Sequence, residues 1–105
     1  MDTYDLSEDH GTYALTPSGR FTYNHHAKVL ELVAFFSKNK IKKIVVNLSN
    51  LNFIDSSAVG MLLIIANEVG SNGGVLLLEN AHGQVDRVLT AAKVYDVLLM
   101  PLYTK

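Results

Sequence analysis

A small α/β fold, with helices packed on a mostly parallel or mixed β-sheet, is predicted by three features of the chain. Short apolar runs rich in β-branched residues, at Ile44 to Leu48 and Val75 to Leu78, read as strands. Between and after them lie longer segments whose apolar residues recur with helical spacing, and strands alternating with helices favour parallel neighbours in a sheet. The third feature is a 49% hydrophobic composition in 105 residues, enough for one core without metal or disulfide staples. Residues 1–105 are therefore expected to form a single domain.

Taken in order, Tyr4 to Leu15 alternates in part and breaks at Asp9-His10-Gly11, the pattern of a hairpin or two edge strands. Pro17, Ser18 and Gly19 then predict a turn, and Arg20 to Tyr23 a further strand. Asn24 is the expected N-cap of the first helix. In that helix Ala27, Leu30, Ala34 and Ser37 share a face with Val33, while Lys28, Glu31 and Lys38 fall elsewhere. Ile44 to Leu48 follows as a strand covered on both faces. From Ser57 to about Val69 the run Met61 to Ala66 predicts a mostly buried helix, which Gly70 to Gly74 ends. Val75 to Leu78 is expected to be another buried strand. Near Gln84 to Ala92 the spacing is helical again, with Val85, Val88, Leu89 and Ala92 on one side. Val97 to Met100 is the place for a last short strand before Pro101.

Composition narrows the function. A formal charge of -1 and a pI near 6.4 provide no basic field for direct nucleic-acid binding. The run Lys38, Lys40, Lys42 and Lys43 suits a solvated helix end, where cations are favoured by the dipole. With no cysteine there are no disulfides, thiol catalysis or cysteine-based metal sites. The acidic start MDTYDLSEDHG lacks the features of a secretion signal, and no apolar stretch approaches the roughly 20 residues that span a bilayer. A cytoplasmic protein without membrane insertion is expected.

The chemistry concentrates at Val45 to Leu62, VVNLSNLNFIDSSAVGML, where strand and loop give way to the buried helix. Asp55, Ser56 and Ser57 stand at the join. A helix start exposes unpaired N–H groups and the positive end of the dipole, so either serine or the aspartate can cap it. The same geometry suits phosphate, and a phosphoserine there would bring roughly -1.5 to -2 charges to a place where the helix favours anions. Both uses are open on the residues alone.

The segment NLSNLNFIDSSAVGMLL resembles the signature of STAS domains, specifically the bacterial anti-sigma factor antagonists of the SpoIIAA type. In these a central strand leads through an Asp-Ser-(Ser or Thr)-x-x-Gly turn into a helix. The likeness continues through Gly73 to Leu78, the Val85 to Leu89 helix and the upstream Gly19 to His26 segment. It implies a partner switch without enzymatic activity or cofactor. The serine after the aspartate, Ser56 here, would be phosphorylated by an anti-sigma-factor kinase and restored by a PP2C-type phosphatase. Asp55 would position the hydroxyl or complete the docking surface, Ser57 would cap or support the helix start, and Gly60 would permit close packing in the first turn. The unphosphorylated form would bind an anti-sigma factor or serine kinase, and the phosphorylated form would release it. The family usually carries an acidic residue in its Gly-x-h-Asp segment, where this chain reads Gly19-Arg20-Phe21-Thr22, so Thr22 would meet the partner without that charge.

Other chemistries fit less well. A receiver domain would use Asp55 with a further carboxylate pair at the end of the first strand to hold Mg2+, and no strong parallel strand delivers one. Ser56 lacks a Gly-x-Ser-x-Gly elbow, and His10, His25, His26 and His82 have no spacing that marks a base. Adjacent His25 and His26 do not converge on one metal from a helix; one exposed and one partly packed imidazole is expected. A phosphate-binding loop with Lys is absent from the sequence. The remaining rival is a STAS module that acts as a scaffold or binds a small ligand without serine chemistry.

Overall fold

A computed structural model describes residues 1–98. The elements run β1 (Thr3–Asp9), β2 (Thr12–Phe21), a 3-10 turn (Tyr23–His25), α1 (His26–Lys38), β3 (Lys43–Asn47), β4 (Leu51–Ile54), α2 (Ser56–Ser71), β5 (Val75–Glu79), α3 (Gly83–Ala91) and α4 (Val94–Leu98). The sheet is mixed, in the order β1-β2-β3-β5, with β4 also paired to β2. Among the described residues the β1–β2 hairpin alone is antiparallel; β2–β3, β2–β4 and β3–β5 are parallel. The α/β class and the mixed sheet agree with the expectation.

The hairpin turns at His10-Gly11, both with positive φ, as the break at Asp9-His10-Gly11 indicates. No turn follows at Pro17, however, because β2 continues unbroken to Phe21. It pairs with β3 through Leu15 and with β4 from Gly19 onward. The Ser18 carbonyl accepts the Asp2 N–H at 3.0 Å, so Ser18 addresses β1 and the neighbouring Pro17 nitrogen addresses the gap between β3 and β4. A missing N–H costs nothing there, which is how proline is tolerated in a strand. Gly19 has φ +78, marks the register shift, and lies so close to the Asp2 carboxylate that a Cβ would collide with it.

Burial alternates along the strands, as it must when one sheet face is covered. Leu15, Ile44, Val46 and Leu76 are buried, whereas Val45 is half-buried and Leu77 is 44% exposed. The expectation that β3 is covered on both faces and β5 is buried is therefore corrected. The helices cover one face, and continuous apolar runs do not distinguish one covered face from two.

A second correction concerns α1. Its buried residues are Val29, Leu32 and Phe36, with Val33 half-buried, while Ala27, Leu30 and Ala34 are exposed and Ser37 is only half-buried. Two stripes of helical spacing compete on this helix, and the one with larger side chains removes more apolar area from water. Tyr13 of β2 meets Phe35 and Phe36 edge-on, with ring centroids 5.9 and 6.4 Å apart. In α2, Ala58, Met61, Leu62, Ile65, Ala66, Val69 and Gly70 are buried, as expected of the central helix. Lys38, Lys40, Lys42 and Lys43 are exposed.

The segment Leu51–Ile54, expected as loop, is strand β4, and it leads directly to α2. Near the chain end, Val97 and Leu98 are in α4 rather than in a strand. The rest of the predicted Val97 to Met100 strand lies outside the described residues.

Candidate functional site

Asp55 begins α2 in extended geometry, with φ -105 and ψ 178, as an N-cap residue does. Its Oδ1 accepts the Ala58 N–H at 2.9 Å, satisfying one of the helix's free donors. Its Oδ2 accepts the Tyr23 N–H at 3.1 Å, from the turn that joins β2 to α1. One carboxylate thus caps the helix and fastens a remote turn beside it. Of the three residues able to cap, the aspartate does so.

Ser56 and Ser57 are both exposed in the first turn of α2. Ser57 lines a cleft of about 450 Å³ with Tyr23, His26, Gly60, Met61 and Ile64. Two of its lining side chains are exposed large apolar ones, Tyr23 at 67% and Ile64 at 41%. Gly60 is exposed as well, and a Cβ added there would meet nothing within 4 Å. The expectation that Gly60 permits close packing is overturned, because that position of the first turns faces away from the core.

On the other side of Tyr23, a cleft of about 560 Å³ is lined by Asp2, Arg20, Thr22, His25, Phe53 and Asp55, among others. The Arg20 guanidinium lies 4.8 Å from the Phe53 ring centroid. Thr22 is buried, and its N–H donates to His25 Nδ1 at 3.1 Å while its carbonyl accepts the His25 N–H at 3.0 Å. Thr22, not Asn24, therefore starts the turn, and His25 occupies the N-cap position of α1. The two imidazoles divide as expected, His25 partly packed and His26 exposed.

Asp2 accepts the Arg20 N–H at 3.1 Å, and its other oxygen is 3.4 Å from His25 Nε2. The Arg20 backbone donor, more than any other influence, lowers its pKa below the ordinary aspartate value. The Met1 amino nitrogen lies 2.9 Å from His25 Nδ1, and burial pulls its pKa down to about 5.

Gln84, at the start of α3, has a part in the site that its place in a helical pattern did not reveal. Its Oε1 accepts the Ile54 N–H at 2.9 Å and its Nε2 donates to the Ile54 carbonyl at 2.8 Å. The only sequence signal is a polar residue one position before the apolar face of α3. Among the described residues no group of three or more His, Cys, Asp or Glu could hold a metal ion, and no helix is long and apolar enough to cross a membrane.

Comparison with known proteins addresses the whole arrangement. Protein TM1081 of Thermotoga maritima matches with a TM-score of 0.83 at 22% identity, over 90% of this chain and 82% of that one. The unphosphorylated anti-sigma factor antagonist SpoIIAA matches with a TM-score of 0.70 at 17% identity, over 93% of this chain and 100% of that one. The phosphorylated form of SpoIIAA, from Bacillus, gives 0.72 at 19% identity, over 90% and 86%. A sulfate transporter family protein from Wolinella succinogenes gives 0.74 at 14% identity, over 88% and 75%. At these identities the likeness shows a shared fold. The family model of the STAS domain matches residues 3–105, from β1 through the Asp55 turn to the chain end. A sheet with one covered face and a capped helix rising from β4 is thus the STAS fold, and the chain belongs to the STAS domain family.

Proposed function

We propose that this protein is an anti-sigma factor antagonist that works as a phosphorylation-controlled partner switch. The observation that carries the reading is the division of labour at the start of α2. Asp55 takes the capping role, so the Ser56 hydroxyl is exposed and free of it. Unphosphorylated, the surface around Asp55, Ser56, Ser57 and Gly60 binds an anti-sigma factor or a serine kinase of the partner-switching type. Thr22, expected to meet the partner, is buried at the base of the adjoining cleft and supports that surface from beneath.

Phosphorylation of Ser56 places roughly -1.5 to -2 charges at the positive end of a helix, where the fold tolerates an anion. It also sets a bulky dianion beside the Asp55 carboxylate, and a partner docked over a neutral hydroxyl is repelled. A PP2C-type phosphatase reverses the change. The protein acts in the cytoplasm as a regulator, not an enzyme.

Incubation with the cognate kinase and ATP should label the peptide Ile54 to Met61, and Ser56→Ala should abolish the label. Labelling that survives in Ser56→Ala and disappears in Ser57→Ala would move the switch to Ser57. Ser56→Asp should weaken partner binding while Ser56→Ala preserves it. Equal affinities would favour a scaffold or small-ligand module, a use of the fold consistent with its occurrence in a sulfate transporter family protein.

A further inference from the structure

Strand β4 is short, and β2 pairs along one of its edges. At its last residue the other edge is met by the Gln84 side chain. An amide group offers a carbonyl acceptor and an NH2 donor in one plane, so it reproduces the pairing that a neighbouring strand would make. Gln84 uses both groups on Ile54, at 2.9 and 2.8 Å. The next residue is Asp55, whose backbone N–H donates to the Phe21 carbonyl at 3.3 Å.

We infer that Gln84 is the positioning residue of the switch: by pairing both ways with Ile54 it holds the Asp55 carboxylate where it caps α2 and fastens the Tyr23 turn. The functional weight of this role rests on the reading of the α2 start as the control point; the geometric role does not. Gln84 is itself held in place from the same side. His82 Nε2 lies 2.9 Å from the Ser49 carbonyl oxygen, and Asn80 Nδ2 donates to Asn47 Oδ1 at 3.0 Å. The β5–α3 loop is thus stitched to the end of β3 and to the β3–β4 loop before it reaches Ile54. Movement of the α3 start is transmitted to Asp55 through two hydrogen bonds, and through Asp55 to Tyr23, which lines both clefts.

The test compares Gln84→Ala and Gln84→Met by amide NMR and thermal unfolding of the full chain. Methionine keeps the bulk of the side chain and removes its donor and acceptor. In both variants the amide signals of Ile54, Tyr23 and Ala58 should move, and hydrogen exchange at Tyr23 and Ala58 should quicken about five- to tenfold, the factor expected for a weakened hydrogen bond. Methionine should not return those signals, because it leaves the Ile54 N–H and carbonyl without their partner. Loss of melting temperature with Tyr23 and Ala58 unmoved would overturn the inference and leave Gln84 a packing residue. Should the alanine variant fail to fold, the methionine variant decides by the same signals. None of these readouts needs a kinase, so label retained in Ser56→Ala would reject the Ser56 reading while leaving the role of Gln84 standing.

Discussion

Asp55 Oδ2 accepts the N–H of Tyr23, a residue 32 positions earlier in the chain, at 3.1 Å. The other oxygen of the same carboxylate caps α2, so Asp55 couples the helix start to the β2–α1 turn. Replacing it by alanine removes both bonds. The expected loss is about 2 kcal/mol, roughly one for the cap and one for the second bond. Asp55→Asn keeps one acceptor oxygen and should lose about half as much. Urea unfolding midpoints check this, and an alanine variant as stable as the parent would rule out the coupling.

Gly60 and Gly74 should respond to alanine with opposite signs. At Gly60 the added methyl meets nothing, so Gly60→Ala should stabilise α2 by about 0.5–1 kcal/mol through chain entropy. At Gly74 a Cβ would collide with the Lys42 backbone, whose carbonyl accepts the Val75 N–H at 2.8 Å. Gly74→Ala should therefore cost about 1–3 kcal/mol. Chemical denaturation of the two variants side by side measures the difference, and a shared sign would contradict the packing described.

Asn72, the C-cap of α2, donates its side-chain N–H groups to the Phe36 carbonyl at 3.2 Å and the Ile41 carbonyl at 3.1 Å. It ties the end of α2 to the connection between α1 and β3. Asn72→Ala should cost about 1–2 kcal/mol, since two hydrogen bonds in a partly buried place go without replacement. An unchanged melting curve would show that these bonds are exchanged for water without loss.

The lowered pKa of Asp2 sets a direction for acid sensitivity. A carboxylate held below its ordinary value of 3.8 by the Arg20 N–H stabilises the fold above that value. The contribution is lost as pH falls through the lowered pKa. Unfolding midpoints followed from about pH 6 to about pH 2 should therefore fall less steeply in Asp2→Asn than in the parent. Parallel profiles would mean that the charge of Asp2 does not contribute.

Local pattern by itself determined that this is a small α/β chain, with a buried helix from Ser57, strands around Ile44 and Val75, and a hairpin turn at His10-Gly11. It also located the join at Asp55, Ser56 and Ser57, because a carboxylate and two hydroxyls between an apolar strand and an apolar helix are conspicuous at short range. The STAS resemblance was legible there too, since the motif is contiguous.

Tertiary structure alone decided what depends on a neighbour distant in sequence. Whether Val45 and Leu77 are covered depends on where the helices lie, not on the strand's own composition. The choice between the Leu30 stripe and the Val29, Leu32 and Phe36 stripe depends on which packs against the sheet and α2. Pro17 reads as a turn until the gap between β3 and β4 removes the need for its N–H. The roles of Asp55 and Gln84 follow from contacts with Tyr23 and Ile54 across the fold, because a side-chain hydrogen bond between distant segments leaves no periodic trace in sequence.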